Sequence, residues 1–88
     1  MEVSEARLLA QNLLDGSLAP GEPEFALDSD FVRSVGDYFV FPYNSKIFLA
    51  TRDFDDQVPG CWPIIVDSRT GFCRFSSVAE REKWRAAD

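Results

Sequence analysis

Val3, Ala6, Leu9, Ala10, Leu13 and Leu14 recur at spacings that place them along one face of a helix. Ser4 stands where an N-cap belongs, Glu5 lies near the positive helix end, and Asp15-Gly16 supplies the stop. This first element is expected to be an amphipathic helix that docks on a sheet. Residues 15–23, DGSLAPGEP, carry two Gly and two Pro and read as a linker.

After the linker the periodicity becomes that of strands. Phe25 and Leu27 alternate with Glu24, Ala26 and Asp28, and Phe31, Val32 and Val35 follow before Gly36-Asp37 breaks the run. The aromatic run Tyr38–Tyr43 predicts a strand covered on at least one face. Pro42 has no N–H for a ladder, so a central strand should end or bulge there. Residues 46–51, KIFLAT, are expected to form a further strand after a turn at Asn44-Ser45, and TRDFDDQVPG to form a loop.

The segment PIIVDSRTGFCRF, residues 63–75, reads as a hairpin. Asp67 can accept from backbone N–H groups two residues on, and Gly71 supplies a positive φ. With Ser68–Gly71 as the loop, Val66 faces Cys73 and Ile64 faces Phe75, giving one apolar face. Ile65, Asp67, Phe72 and Arg74 share the other face, with Asp67 and Arg74 diagonally placed to pair. A phosphate-cradling loop would need several glycines leading into a helix, and here a strand follows. At the C-terminal end Ser77 and Glu80 have capping-box spacing, and Val78, Trp84 and Ala87 form a thin apolar stripe on a short helix.

These elements predict an α+β fold, with the N-terminal amphipathic helix packed on an antiparallel sheet of about four strands and a short C-terminal helix. The 88 residues suffice for one domain, 1–88, with one core. Twelve aromatic residues (eight Phe, two Trp, two Tyr) make that core heavy for its size.

Charge narrows the classes of partner. Nine basic against fifteen acidic residues give −6, and residues 1–30 hold seven acids against Arg7 alone. Such a field repels phosphate backbones and disfavours nucleic acid, while steering basic protein partners or simply aiding solubility. MEVSEARLLAQ lacks the basic and apolar regions of a signal peptide, and no apolar run approaches a membrane span, so a cytoplasmic location is expected.

Candidate chemistry is sparse. The chain has no histidine, the commonest general base and metal ligand. Cys61 and Cys73 are too few and too far apart for a zinc site, and extending the hairpin register separates them by roughly 16 Å, beyond the disulfide limit. Asp53, Asp55 and Asp56 lack the further ligands of a calcium loop. No catalytic set can be assembled, no cofactor or metal is expected, and the chain is not expected to be an enzyme. With Phe54 among these acids and Trp62 beyond them, Asp53, Phe54, Asp55, Asp56 and Trp62 are the candidate partner-binding residues, since aromatic anchors beside charges have hot-spot composition. Trp62 has an alternative place in the core beside Pro63.

The stretch from Tyr38 to Phe75, above all PIIVDSRTG, resembles the immunity protein 35 (YrhB-like) family of small bacterial proteins. The resemblance implies a small α+β domain that binds and neutralises a cognate toxin by occlusion, with papain-like or deamidase-type toxins as the usual partners. It carries over no catalytic residues. Another branch implies a chaperone-like, stress-associated protein, and an accessory protein-interaction domain is a further reading. Either a monomer or a homodimer fits.

Overall fold

The computed structural model describes residues 1–17, 24–58 and 61–80. Helix α1 (Val3–Gly16) is followed by strand β1 (Phe25–Leu27), a 3₁₀ turn η1 (Ser29–Phe31), β2 (Arg33–Val35), β3 (Tyr38–Phe41) and β4 (Tyr43–Ser45). Helix α2 (Lys46–Thr51), turn η2 (Phe54–Asp56), β5 (Ile64–Asp67), β6 (Cys73–Phe75) and turn η3 (Val78–Glu80) complete the order. The expected α+β architecture is present: a four-stranded antiparallel sheet, ordered β2-β3-β5-β6, carries α1 on one face. A separate antiparallel ladder joins β1 to β4.

The alternation of side chains across the sheet decides what α1 covers. Phe39 pairs with Val66, Phe41 with Ile64, Val66 with Cys73 and Ile64 with Phe75, so these residues share a face. They pack with Ala6, Ala10 and Leu14 of α1, all buried. Ala6 and Ala10, one helical turn apart and fully excluded from solvent, let the helix backbone approach the sheet closely. Phe41, Ile64 and Val66 are also fully buried, each contributing on the order of 1.5–3 kcal/mol by leaving water. The Cys73 thiol lies 3.8 Å from the Leu9 carbonyl beneath the helix, as a small core residue would. On the opposite face Val40 and Ile65 are buried against Val35 and Tyr38.

The 64–75 hairpin has the register expected from its loop, with Ile64 opposite Phe75 and Val66 opposite Cys73. Asp67 N–H donates to Phe72 O at 2.9 Å, Gly71 N–H to Asp67 O at 2.8 Å, and Arg69 N–H to Asp67 Oδ1 at 2.8 Å. Gly71 sits at φ +77°, and a Cβ there would also meet Met1 Cε at 3.2 Å. At the β2–β3 turn Gly36, at φ +57°, precedes Asp37 in a two-residue loop with the glycine-first order of a type II′ hairpin. Strand β3 stops at Pro42, as a residue without an N–H requires. The Pro42 carbonyl instead accepts from Asp28 N–H at 2.7 Å.

Five expectations are corrected. Asn44 and Ser45 form no turn but belong to β4, paired with Ala26 and Phe25 of β1. Residues 46–51 are helical, because Ser45 acts as an N-cap and accepts from Phe48 N–H at 3.1 Å. They therefore cannot serve as an edge strand. Helix α1 begins one residue before Ser4, with Glu2 as an extended cap whose carbonyl accepts from Glu5 and Ala6 N–H, each at 3.1 Å. It also runs through Gly16, so the first two residues of the expected linker belong to the helix; residues 18–23 lie outside the described residues. Asp67 and Arg74 do not pair. Asp67 is engaged by Arg69 at 3.2 Å, while Arg74 forks onto Glu80 at 2.6 and 2.7 Å. Glu80 also accepts from Ser77 N–H at 3.2 Å, the reach-back half of a capping box. Trp84 and Ala87 of the expected C-terminal stripe lie outside the described residues.

Candidate partner-binding surface

Phe54 and its acidic neighbours owe their placement to two buried polar residues at the end of β4. Asn44 grips the backbone of Val58 from both sides: its Nδ2 donates to Val58 O at 3.2 Å and its Oδ1 accepts from Val58 N–H at 2.9 Å. The same Oδ1 accepts from Ser45 N–H at 2.8 Å. Ser45 Oγ donates to Asp56 O at 3.0 Å while capping α2. These contacts satisfy backbone groups of a non-repetitive segment that would otherwise need water or a ladder. The segment from α2 to Val58 is thus tied at both ends.

At the C-terminal end of α2, Arg52 adopts the left-handed conformation (φ +56°) and its N–H donates to Phe48 O at 2.6 Å. Its guanidinium forks onto the buried Asp28, at 2.8 and 3.0 Å, and reaches Asp30 at 3.4 Å. It also lies 5.7 Å from the ring centroids of both Phe31 and Phe48. The Arg52 guanidinium beside Asp28 holds that carboxyl below the usual aspartate range. One arginine therefore joins η1, twenty-odd residues earlier in the chain, to α2.

A continuous strip of side chains results. Phe31 packs against Arg52, Arg52 against Phe48, and Phe48 against Phe54, with ring centroids 6.3 Å apart in the last pair. Phe48 is buried, but Phe54 is 79% exposed, Ile47 60% and Phe31 59%. Around them lie Asp28, Asp30, Asp53, Asp55 and Asp56 against Arg52 and Arg33, the latter bordering the same hollow as Asp30 and Phe31, a balance of 2 − 5 = −3 out of −6 for the chain. Lys46 nearby is neutralised by Glu24 at 3.4 Å.

The residues singled out from sequence divide between two roles. Asp53 and Asp55 are exposed, and Asp53 Oδ1 accepts from Asp55 N–H at 3.0 Å to start η2. Asp56 is half-buried, its Oδ2 within 3.1 Å of the Thr51 hydroxyl. Phe54 is presented to solvent between them. Trp62 is half-buried at the approach to β5, so it offers less surface than Phe54 does. Among the described residues no three His, Cys, Asp or Glu side chains could hold a metal ion, so the carboxylates of η2 do not converge. Both cysteines are free thiols, and burial pushes the Cys61 thiol up from its ordinary value. No helix among the described residues is long and apolar enough to cross a membrane.

Sequence reasoning missed Phe31, Ile47 and Arg52 on this surface, and Asn44 and Ser45 beneath it. Ser45 was legible in principle, as a serine directly before Lys46 in a run that also holds the helix formers Leu49 and Ala50, with the Phe48 N–H three residues on to cap. Nothing local signals that Arg52 meets Asp28. Comparison of the chain with protein-family models, curated proteins and solved structures found no match.

Proposed function

We propose that this chain is a non-catalytic immunity protein that binds a cognate bacterial toxin and neutralises it by occlusion, through the surface formed by η1, α2 and η2. The observation that carries this reading is Phe54, a ring 79% exposed on a backbone that Asn44 and Ser45 hold in place. A rigid, exposed aromatic anchor loses little entropy on binding, and anchors of this kind carry most of the energy of protein interfaces. The carboxylates around it raise the on-rate for a basic partner. The resemblance of PIIVDSRTG to the immunity protein 35 family supplies the toxin class, papain-like or deamidase-type. Occlusion needs no catalytic group. In keeping with that, the chain has no histidine, and a Cys61 thiol with a raised pKa stays protonated near neutrality and makes a poor nucleophile. The protein would act in the bacterial cytoplasm as a monomer or homodimer, without a cofactor.

The scatter of further exposed apolar side chains, Leu8 and Phe72 among them, favours a second reading as a chaperone-like protein with promiscuous apolar contacts. Affinity capture of the products of neighbouring genes, at low and then moderate salt, separates the two. One stoichiometric partner whose enzymatic activity falls on binding supports the immunity function. Recovery of many unrelated unfolded chains, insensitive to salt, supports the chaperone-like reading instead.

A further inference from the structure

Strand β6 is the outer strand of the four-stranded sheet, with β2 at the other edge. Asp67 N–H donates to Phe72 O, and Ser76 N–H to Pro63 O. In an antiparallel ladder every second residue turns its backbone groups to the neighbour. Phe72, Arg74 and Ser76 therefore face β5, while Cys73 and Phe75 face outward. Among the described residues, no partner meets the backbone N–H or C=O of Cys73 or Phe75. Charge and proline, the usual guards of a sheet edge, are nearly missing here. Residues 72–77, FCRFSS, carry one charge, and Arg74 is neutralised by Glu80 at 2.6 and 2.7 Å. Cys73 and Phe75 are apolar and only half-buried beside the core under α1, and Phe72 is 66% exposed. The β2 edge differs. Ser34, on the same face as Cys73, is polar and exposed, between Arg33 and the Gly36-Asp37 turn.

We propose that β6 pairs antiparallel with β6 of a second copy of this chain, joining two sheets into one across a two-fold axis at Arg74. Cys73 and Phe75 flank Arg74 symmetrically, so each outward N–H meets a C=O of the other copy, with Cys73 opposite Phe75. Any strand could match the backbone, but the side chains suit an identical one. On the α1 face the pairing sets Cys73 against Phe75 twice over and covers the open side of both. On the other face Arg74 meets Arg74 of the second copy. Each guanidinium is already forked onto its own Glu80, so neutral pairs meet at the axis. Exposed Phe72 falls opposite Ser76 of the second copy, a small residue that leaves room for the ring. Short runs of high β-propensity and low net charge self-associate when presented as an open edge. Turn η1 leads into β2 at the far edge of the sheet, so the surface around Phe31 stays open on both copies.

Sedimentation equilibrium and amide hydrogen exchange of the full chain test this without any variant. The 9.9 kDa chain should shift toward 2 × 9.9 = 19.8 kDa between about 5 and 500 μM, a range suited to a contact at the small end of stable interfaces. Over that range, exchange at the Cys73 and Phe75 amides should slow at least about fivefold while Ser34 stays unchanged. Cross-linking then reads the register. Arg74→Cys, in a Cys61→Ala/Cys73→Ala background, places two thiols across the axis at a Cα separation of about 4.5 Å, within disulfide reach. Mild oxidation should link this variant at least about tenfold faster than Ser34→Cys in the same background. A monomer throughout the range would overturn the inference. So would dimers in which Cys73 and Phe75 exchange as fast as in the monomer, or equal cross-linking at the two edges. None of these readouts involves a toxin, so the dimer and the partner-binding surface stand or fall separately.

Discussion

Replacing Asn44 by alanine should loosen the whole segment that carries Phe54. Asn44 is 7% exposed and makes three hydrogen bonds, two to Val58 and one to Ser45 N–H. Each net bond of this kind contributes about 1 kcal/mol, and a donor or acceptor left buried without a partner costs about 1–3 kcal/mol. Water can reach half-buried Val58, which discounts the second figure, so the expected loss is about 3 kcal/mol. For a domain of this length each kcal/mol lowers Tm by about 4–8 °C, which places the Asn44→Ala midpoint roughly 12–24 °C below that of the parent. Asn44→Asp is the informative companion. It keeps the acceptor toward the Val58 and Ser45 N–H groups but loses the donor to Val58 O, so it should fall between the two. Thermal unfolding followed by far-ultraviolet circular dichroism gives both midpoints, and hydrogen exchange at Val58 and Asp56 shows whether the loss is local to the clamp. An Asn44→Ala midpoint within about 3 °C of the parent, with Val58 exchange unchanged, would refute the clamp.

Further outcomes follow from the same contacts. Ser45→Ala removes the α2 cap and the bond to Asp56 O, costing about 1–2 kcal/mol by chemical denaturation. Gly71→Ala should destabilise the hairpin by about 1–2 kcal/mol, because φ +77° disfavours any side chain and the new methyl would press on Met1 Cε at 3.2 Å; an unchanged urea midpoint would contradict the turn assignment. Arg74 holds Glu80 down to about 2 from an ordinary 4.5. The stabilisation is therefore full above pH 4.5 and is lost as pH falls through the folded value, so acid titration of the parent should show a loss between pH 4.5 and 2 that Glu80→Gln lacks.

How much of this was legible in the sequence depends on how local the cause was. The hairpin register follows from one glycine and one aspartate flanked by β-rich runs, all within a dozen residues. Helix α1 follows from its apolar stripe. Residues 46–51 carry a mixed signal: Ile47 and Phe48 favour a strand, whereas the cap from Ser45 and the burial of Phe48 decide for a helix. The candidate surface was half legible. Phe54 and its acids stand together in the chain, but Phe31 joins them only through Arg52, whose partner Asp28 is 24 residues away. Long-range pairing of that kind leaves no periodic trace. The Asn44 grip on Val58 is of the same sort, since an Asn-Ser dipeptide between two apolar-rich runs reads equally well as a plain turn.

The central claim, that Phe54 and the surrounding carboxylates form the docking surface, is tested most directly by association kinetics with the captured partner. On-rates should be measured for the parent, Phe54→Ala and Asp55→Asn across a range of salt concentrations. Phe54→Ala should raise Kd by at least about thirtyfold, chiefly through faster dissociation, the effect of losing a hot-spot ring. Asp55→Asn should slow association and flatten its salt dependence while leaving the off-rate nearly unchanged. Neither variant should lower Tm by more than a few degrees. Parent-like kinetics in both variants would contradict the account and place the interface elsewhere on the molecule.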